Sequence, residues 1–99
     1  MSSDPVDPDA VATVALACPD VVGLSSGRFG EVATYLPGRR VNGVRVAAGE
    51  LQVHIVARWG PPLPEVAEYV RHAVAPLSGG RPVAVVVDDV DVSVDLSKE

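Results

Sequence analysis

The chain has 99 residues, a mass of 10.3 kDa and a formal net charge of −5 at pH 7. That length accommodates one small domain and not two. A composition of 47% hydrophobic and 21% charged residues excludes a disordered chain. The acidity argues against a general nucleic-acid-binding surface. The single cysteine, Cys18, excludes an internal disulfide and a cysteine-based zinc cage.

The opening residues are acidic and proline-broken, so no secretory leader is expected. The longest apolar stretches, residues 10–18 and 83–87, are far below the ~20 residues needed to cross a bilayer, and a cytoplasmic location is expected. Arginine greatly outnumbers lysine, and Val and Ala dominate the apolar set, the bias of a GC-rich genome. The charge is segregated. Residues 1–22 carry −4 and residues 83–99 carry −4, whereas the middle carries +3.

In chain order, residues 1–7 read as a flexible N-terminus. Asp7-Pro8 then forms an N-cap with proline at the first helical position. Val11, Val14, Ala15 and Cys18 recur at helical spacing, which predicts a helix over 8–18, ended by Pro19. Residues 21–24 read as a short strand, 25–30 as a loop, 31–36 as a short strand and Pro37-Gly38 as a turn. Residues 43–47 form a strand joined by Ala48-Gly49-Glu50 to the strongest strand signal in the chain. There Leu51, Val53, Ile55, Ala57 and Trp59 alternate with Gln52, His54, Val56 and Arg58, giving one wholly apolar face. After Gly60-Pro61-Pro62, Pro64 opens a second helix with an apolar stripe of Val66, Tyr69, Val70, Ala73, Val74 and Leu77. Its acidic start and basic end suit the helix dipole. Residues 83–87 begin the last strand, whose apolar positions switch from odd to even at Asp88-Asp89. A β-bulge produces such a switch, as does a strand whose odd face turns to solvent where it leaves the core. Residues 93–99 read as an acidic tail. The expected fold is α+β: a small two-layer domain over 8–92, with a mainly antiparallel sheet of three to five strands and two helices on one face. The other face of the sheet is half polar and available to a partner.

Residues 23–46 (GLSSGRFGEVATYLPGRRVNGVRV), 53–60 (VHIVARWG) and 63–68 (LPEVAE), with the closing strand over 83–92, resemble the alkaline shock protein family of envelope stress response proteins. The form most similar is the short one of high-GC Gram-positive bacteria, and the likeness spans residues 8–92. The resemblance implies two helices and a small sheet. It also implies an abundant, non-enzymatic protein on the cytoplasmic side of the membrane that self-assembles and is recruited by a membrane-anchored paralogue. The family has no assigned catalytic residues, so none carry over. No cofactor, metal or direct membrane insertion is expected.

The segment Gly27-Arg28-Phe29-Gly30 matches the G-x-x-G pattern of KH nucleic-acid-binding loops, which need a helix on each side. A KH-like module using this loop and nearby arginines is the alternative function. A structural turn is the plainer reading. No Gly-Lys-Ser/Thr follows, so the segment is not a P-loop. Arg28, Arg39, Arg40, Arg45, His54 and Arg58 are the candidate interaction surface, and Asp88, Asp89, Asp91 and Asp95 its candidate acidic counter-surface on a second copy. The arginines otherwise serve nucleic acid or lipid headgroups, or simply solvate a hairpin end. His54 and His72 lack the further ligands of a zinc site. Cys18 continues a core face, and Ser25 and Ser26 lack a His/Asp partner pattern. Paired Asp88 and Asp89 resemble a calcium or acid/base pair, but adjacent strand residues share a face only if the strand bulges between them.

Overall fold

A computed structural model describes residues 5–92, which form two helices and six strands. The elements in order are α1 (Pro8–Ala17), β1 (Val21–Leu24), β2 (Ala33–Leu36), β3 (Arg39–Asn42), β4 (Val44–Ala47), β5 (Glu50–Arg58), α2 (Leu63–Val74) and β6 (Val83–Asp91). A single 3₁₀ turn, Ala75–Leu77, follows α2. This is the expected α+β class. Residues 1–4 of the N-terminal segment and the whole acidic tail, 93–99, with Asp95, lie outside the described residues.

Helix α1 starts where the sequence places it. The Asp7 carboxylate accepts from the N–H groups of Asp9 and Ala10, and Pro8 has no N–H to leave unpaired. Val11 and Ala15 are fully buried, and Cys18 caps the C-terminal end. Helix α2 buries Val66, Val70 and Val74. Both helices cover the same face of the sheet, packing on Val44, Leu51, Val53, Ile55 and Ala57. Full burial of each Leu, Val or Ile side chain contributes about 1.5–3 kcal/mol, so this β5 row dominates the core.

Strand β5 is bonded along both edges. One edge carries β4 beside residues 50–53 and β1 beside residues 55–57, both antiparallel. The other edge carries β6, parallel to β5. The sheet is therefore mixed. The two short pairings on β5 are antiparallel as expected, but its longest pairing is parallel. The reason is α2, which carries the chain back across the sheet as a parallel pair requires. Strands β2 and β3 form a separate antiparallel hairpin about Pro37-Gly38. The Thr34 hydroxyl ties that hairpin to the sheet by donating to the Val44 carbonyl. Hydrophobic periodicity carries no signal for β3, whose pattern shows one buried residue, Val41, among exposed ones.

Two expected core positions differ. Trp59 lies just past the end of β5, and Tyr69 points out of α2 rather than into its stripe. The helical face already filled by Val66, Val70 and Val74 leaves no room for a phenol ring, whose hydroxyl also favours water. Ala48 and Gly49 both have positive φ, 53° and 78°, the geometry of a two-residue hairpin turn.

The tightest backbone junction is Gly43, between β3 and β4. Its N–H donates to the Val32 carbonyl and its carbonyl accepts from the His54 N–H. Its φ is +84°, and a Cβ placed there would sit 2.8 Å from the Leu24 Cβ and 3.1 Å from the His54 carbonyl oxygen. Substitution Gly43→Ala is expected to destabilise the fold by about 2 kcal/mol or more, through left-handed backbone strain together with a clash against backbone. Thermal unfolding followed by circular dichroism checks it. A drop of about 10 °C is expected for a domain of this size, and an unchanged midpoint contradicts the role given to Gly43.

Candidate functional site

The loop between β1 and β2 is a tight, braced turn. Ser25 Oγ accepts from the Gly27 N–H at 3.1 Å, and the Gly30 N–H reaches back to the Gly27 carbonyl at 3.3 Å. The Glu31 carboxylate accepts from the Phe29 N–H at 3.0 Å, and the Val32 N–H donates to the Ser26 carbonyl at 2.8 Å. Ser25 thus serves the turn. Gly27 has φ +86°, and a Cβ there would press on the Glu31 carboxylate. The turn holds Arg28 and Phe29 outward at its tip. It is flanked by β1 and β2, not by the two helices of a KH loop.

Three of the candidate arginines converge on this turn. Arg28 is part of it. Arg40 donates to the Gly30 carbonyl at 3.1 Å and to Asn42 at 2.7 Å, with its guanidinium 5.3 Å from the centre of the Tyr35 ring. Arg45 donates to the Glu31 carbonyl at 3.3 Å. Arg39 neighbours Arg40 in β3 and so leaves from the opposite face. It makes a two-pronged bond to Asp9 in the first turn of α1, at 2.8 and 2.6 Å. That guanidinium holds the Asp9 carboxyl below its ordinary value and raises Arg39 in return. On α2, Arg71 pairs with Glu68 and likewise lowers the Glu68 carboxyl. Both pairs are exposed, so neither contributes much to stability.

His54 and Arg58 lie elsewhere, on the outer face of β5, away from the helices. Arg58 pairs with Asp20 at 3.5 Å. His54 Nδ1 lies 2.9 Å from Asp88 Oδ2, and with a proton on that nitrogen it donates to the carboxylate. The basic candidates therefore form two groups, one at the turn and one on the outer sheet face. His72 sits by Glu68 on α2, remote from His54. Cys18 is buried, its Sγ donates to the Val14 carbonyl at 3.3 Å, and burial pushes its thiol pKa up, which opposes nucleophile chemistry.

The register of β6 resolves the Asp88-Asp89 question in favour of a bulge. Val87 pairs with Ile55 and Asp89 with Val56, so Asp88 is the extra residue. A second bulge faces it across β5. Val21 pairs with Ala57 and Gly23 with Val56, so Val22 is extra in β1. Extra residues on both flanks of Val56 sharpen the local twist and open the outer face into a groove. One part of it, about 530 Å³, has Ser25, Ser26, Gly27 and Arg28 on one side, Val56 as its floor, and Asp88 and Asp89 on the other. It continues past Gly23 and Val56 to Asp91 and Val92. The bulge thus places both carboxylates on one face, which a regular strand forbids. Among the described residues, no group of three or more His, Cys, Asp or Glu side chains is arranged to hold a metal ion, and no helix is long and apolar enough to cross a membrane.

All four aromatic side chains are exposed: Phe29 85%, Tyr35 68%, Trp59 60% and Tyr69 56%. Residue spacing alone places Trp59 and Tyr69 in the core. The contrary signal is in the composition, because small aliphatic side chains suffice to fill a core this small. No family model, curated protein or solved structure matches the chain.

The bracing of the turn yields an expected outcome. Replacing Glu31 by Ala is expected to speed hydrogen exchange at the Phe29 amide roughly tenfold, the loss of about 1.4 kcal/mol from a bond to a charged acceptor. The melting temperature should change little. Unaltered exchange at Phe29, measured by NMR, contradicts the bracing role.

Proposed function

We propose that this chain is a non-catalytic protein-interaction scaffold of the alkaline shock type, working on the cytoplasmic side of the cell envelope with itself and a membrane-anchored partner. The observation that carries the reading is the outward placement of all four aromatic side chains in a molecule whose core is aliphatic. Aromatic and arginine side chains are the types enriched at protein interfaces and at their energetic centres. Here Phe29, Tyr35, Arg28 and Arg40 gather around one rigid turn, so little ordering entropy opposes binding there. The resemblance over residues 8–92 supplies the cellular setting, and the aromatic surface supports the mode of action.

The KH-like alternative draws less support. Its loop runs between strands, Arg40 and Arg45 are bonded to carbonyls of the same chain, and Asp88 and Asp89 stand across the groove from Arg28, where phosphates would be repelled.

Sedimentation of a lysate of the native cells tests the proposal. The chain should run in assemblies well above its 10.3 kDa mass. Phe29→Ser should shift most of it to the monomer position while leaving the melting temperature within about 3 °C, as expected for an exposed site. A wild-type chain that runs as a monomer overturns the scaffold reading.

A further inference from the structure

We propose that the groove over Gly23 and Val56 is a docking site for an extended segment of a partner protein. The segment presents an acidic side chain to Arg28 and a basic side chain to Asp89. This deepens the scaffold reading and rests on it.

Three observations lead there. The first is the shape of the groove. The bulges at Val22 and Asp88 flank Val56 from both sides, so the floor and acidic wall of the trough are set by the sheet register, and its other wall is the braced turn. The second is Gly23. It lies within β1 opposite Val56, its φ is not in the left-handed region, and a Cβ added there would meet nothing within 4 Å. Neither turn geometry nor packing asks for glycine at this position. A glycine inside a strand marks a bulge or a close approach by another backbone or a ligand; Gly23 follows the bulge at Val22, and its missing side chain keeps the trough open.

The third observation is charge. Among the described residues, Arg39 is paired with Asp9 and Arg58 with Asp20, and Asp88 lies against His54. Arg28 and Asp89, on opposite walls of the groove, have no ionic partner among the described residues; the Asp89 carboxylate accepts only the adjacent Val90 N–H. A cationic wall at Arg28 and an acidic wall at Asp88 and Asp89, with Val56 between them, select an occupant carrying both signs. A phosphodiester chain or an anionic bilayer would meet the acidic wall of Asp88 and Asp89, whereas a peptide can answer each wall separately. Extended peptides also suit a trough that runs along a strand, with alternate side chains directed to floor and solvent.

The test uses the full chain, immobilised and panned against a phage library of random octapeptides. Enriched sequences should pair an acidic with a basic residue around small apolar ones. A synthetic peptide of the enriched sequence should bind Gly23→Leu at least tenfold more weakly, while that variant keeps its melting temperature. Arg28→Glu should lose the same peptide and regain binding when the peptide's acidic residue becomes Lys. No enrichment, enrichment without paired charges, or equal binding to Gly23→Leu overturns the proposal. So does binding of oligo(dT) or phosphatidylglycerol vesicles to the wild type that Gly23→Leu abolishes. In native-cell lysates, assemblies lost with Phe29→Ser but intact with Gly23→Leu overturn the groove and leave the scaffold standing; a monomeric wild type removes both.

Discussion

The fold depends on one strand. Residues 51–57 of β5 present Leu51, Val53, Ile55 and Ala57 to both helices with none of their surface left to water. The same strand is hydrogen-bonded along both edges, with β6 on one side and β4 and β1 in tandem on the other. A strand held on two edges and one face has a single free surface, its outer face. Side-chain alternation then decides what that face carries. Gln52, His54, Val56 and Arg58 appear there because the apolar row is turned inward. A one-residue slip would bury His54 and Arg58, so the register is strongly specified.

Two bulges modify this regular element at one point, and they organise the surface chemistry. Bulges re-aim side chains. At Asp88 the extra residue brings two consecutive carboxylates to the outer face, and His54 engages the first of them. The overall charge of −5 consequently says little about local recognition. Most arginines are matched within the chain, by Asp9, Asp20 and Glu68 or by loop carbonyls, and the expected single basic patch is replaced by a braced aromatic–arginine turn beside a groove of mixed charge.

Much of this is legible in the residues. The alternation over 51–58 fixes the face of β5, Asp7-Pro8 marks the start of α1, and the odd-to-even switch at Asp88-Asp89 points to a bulge as one of two readings. What escapes has physical reasons. Strand β3 is nearly all exposed, so it has no hydrophobic period to read. The parallel pairing of β6 follows from the path of α2 and not from any local pattern. The bulge at Val22 falls in a four-residue strand, too short for a period to shift visibly. Spacing points Trp59 and Tyr69 inward, where large apolar side chains usually lie, whereas this core is already filled by smaller ones. The charge pairs His54–Asp88 and Arg39–Asp9 join residues 34 and 30 positions apart, which no single-sequence pattern reveals.

The proposal at the centre of this account is that the turn bearing Phe29, on the rim of the outer face, is a contact surface for other proteins. Site-specific photo-cross-linking in the native cells tests it most directly, with benzoylphenylalanine placed at Phe29 or, as a control, at exposed Thr13 on α1. Discrete protein adducts from position 29 and none from position 13 are expected. No adduct from position 29, or the same adducts from both positions, contradicts the claim.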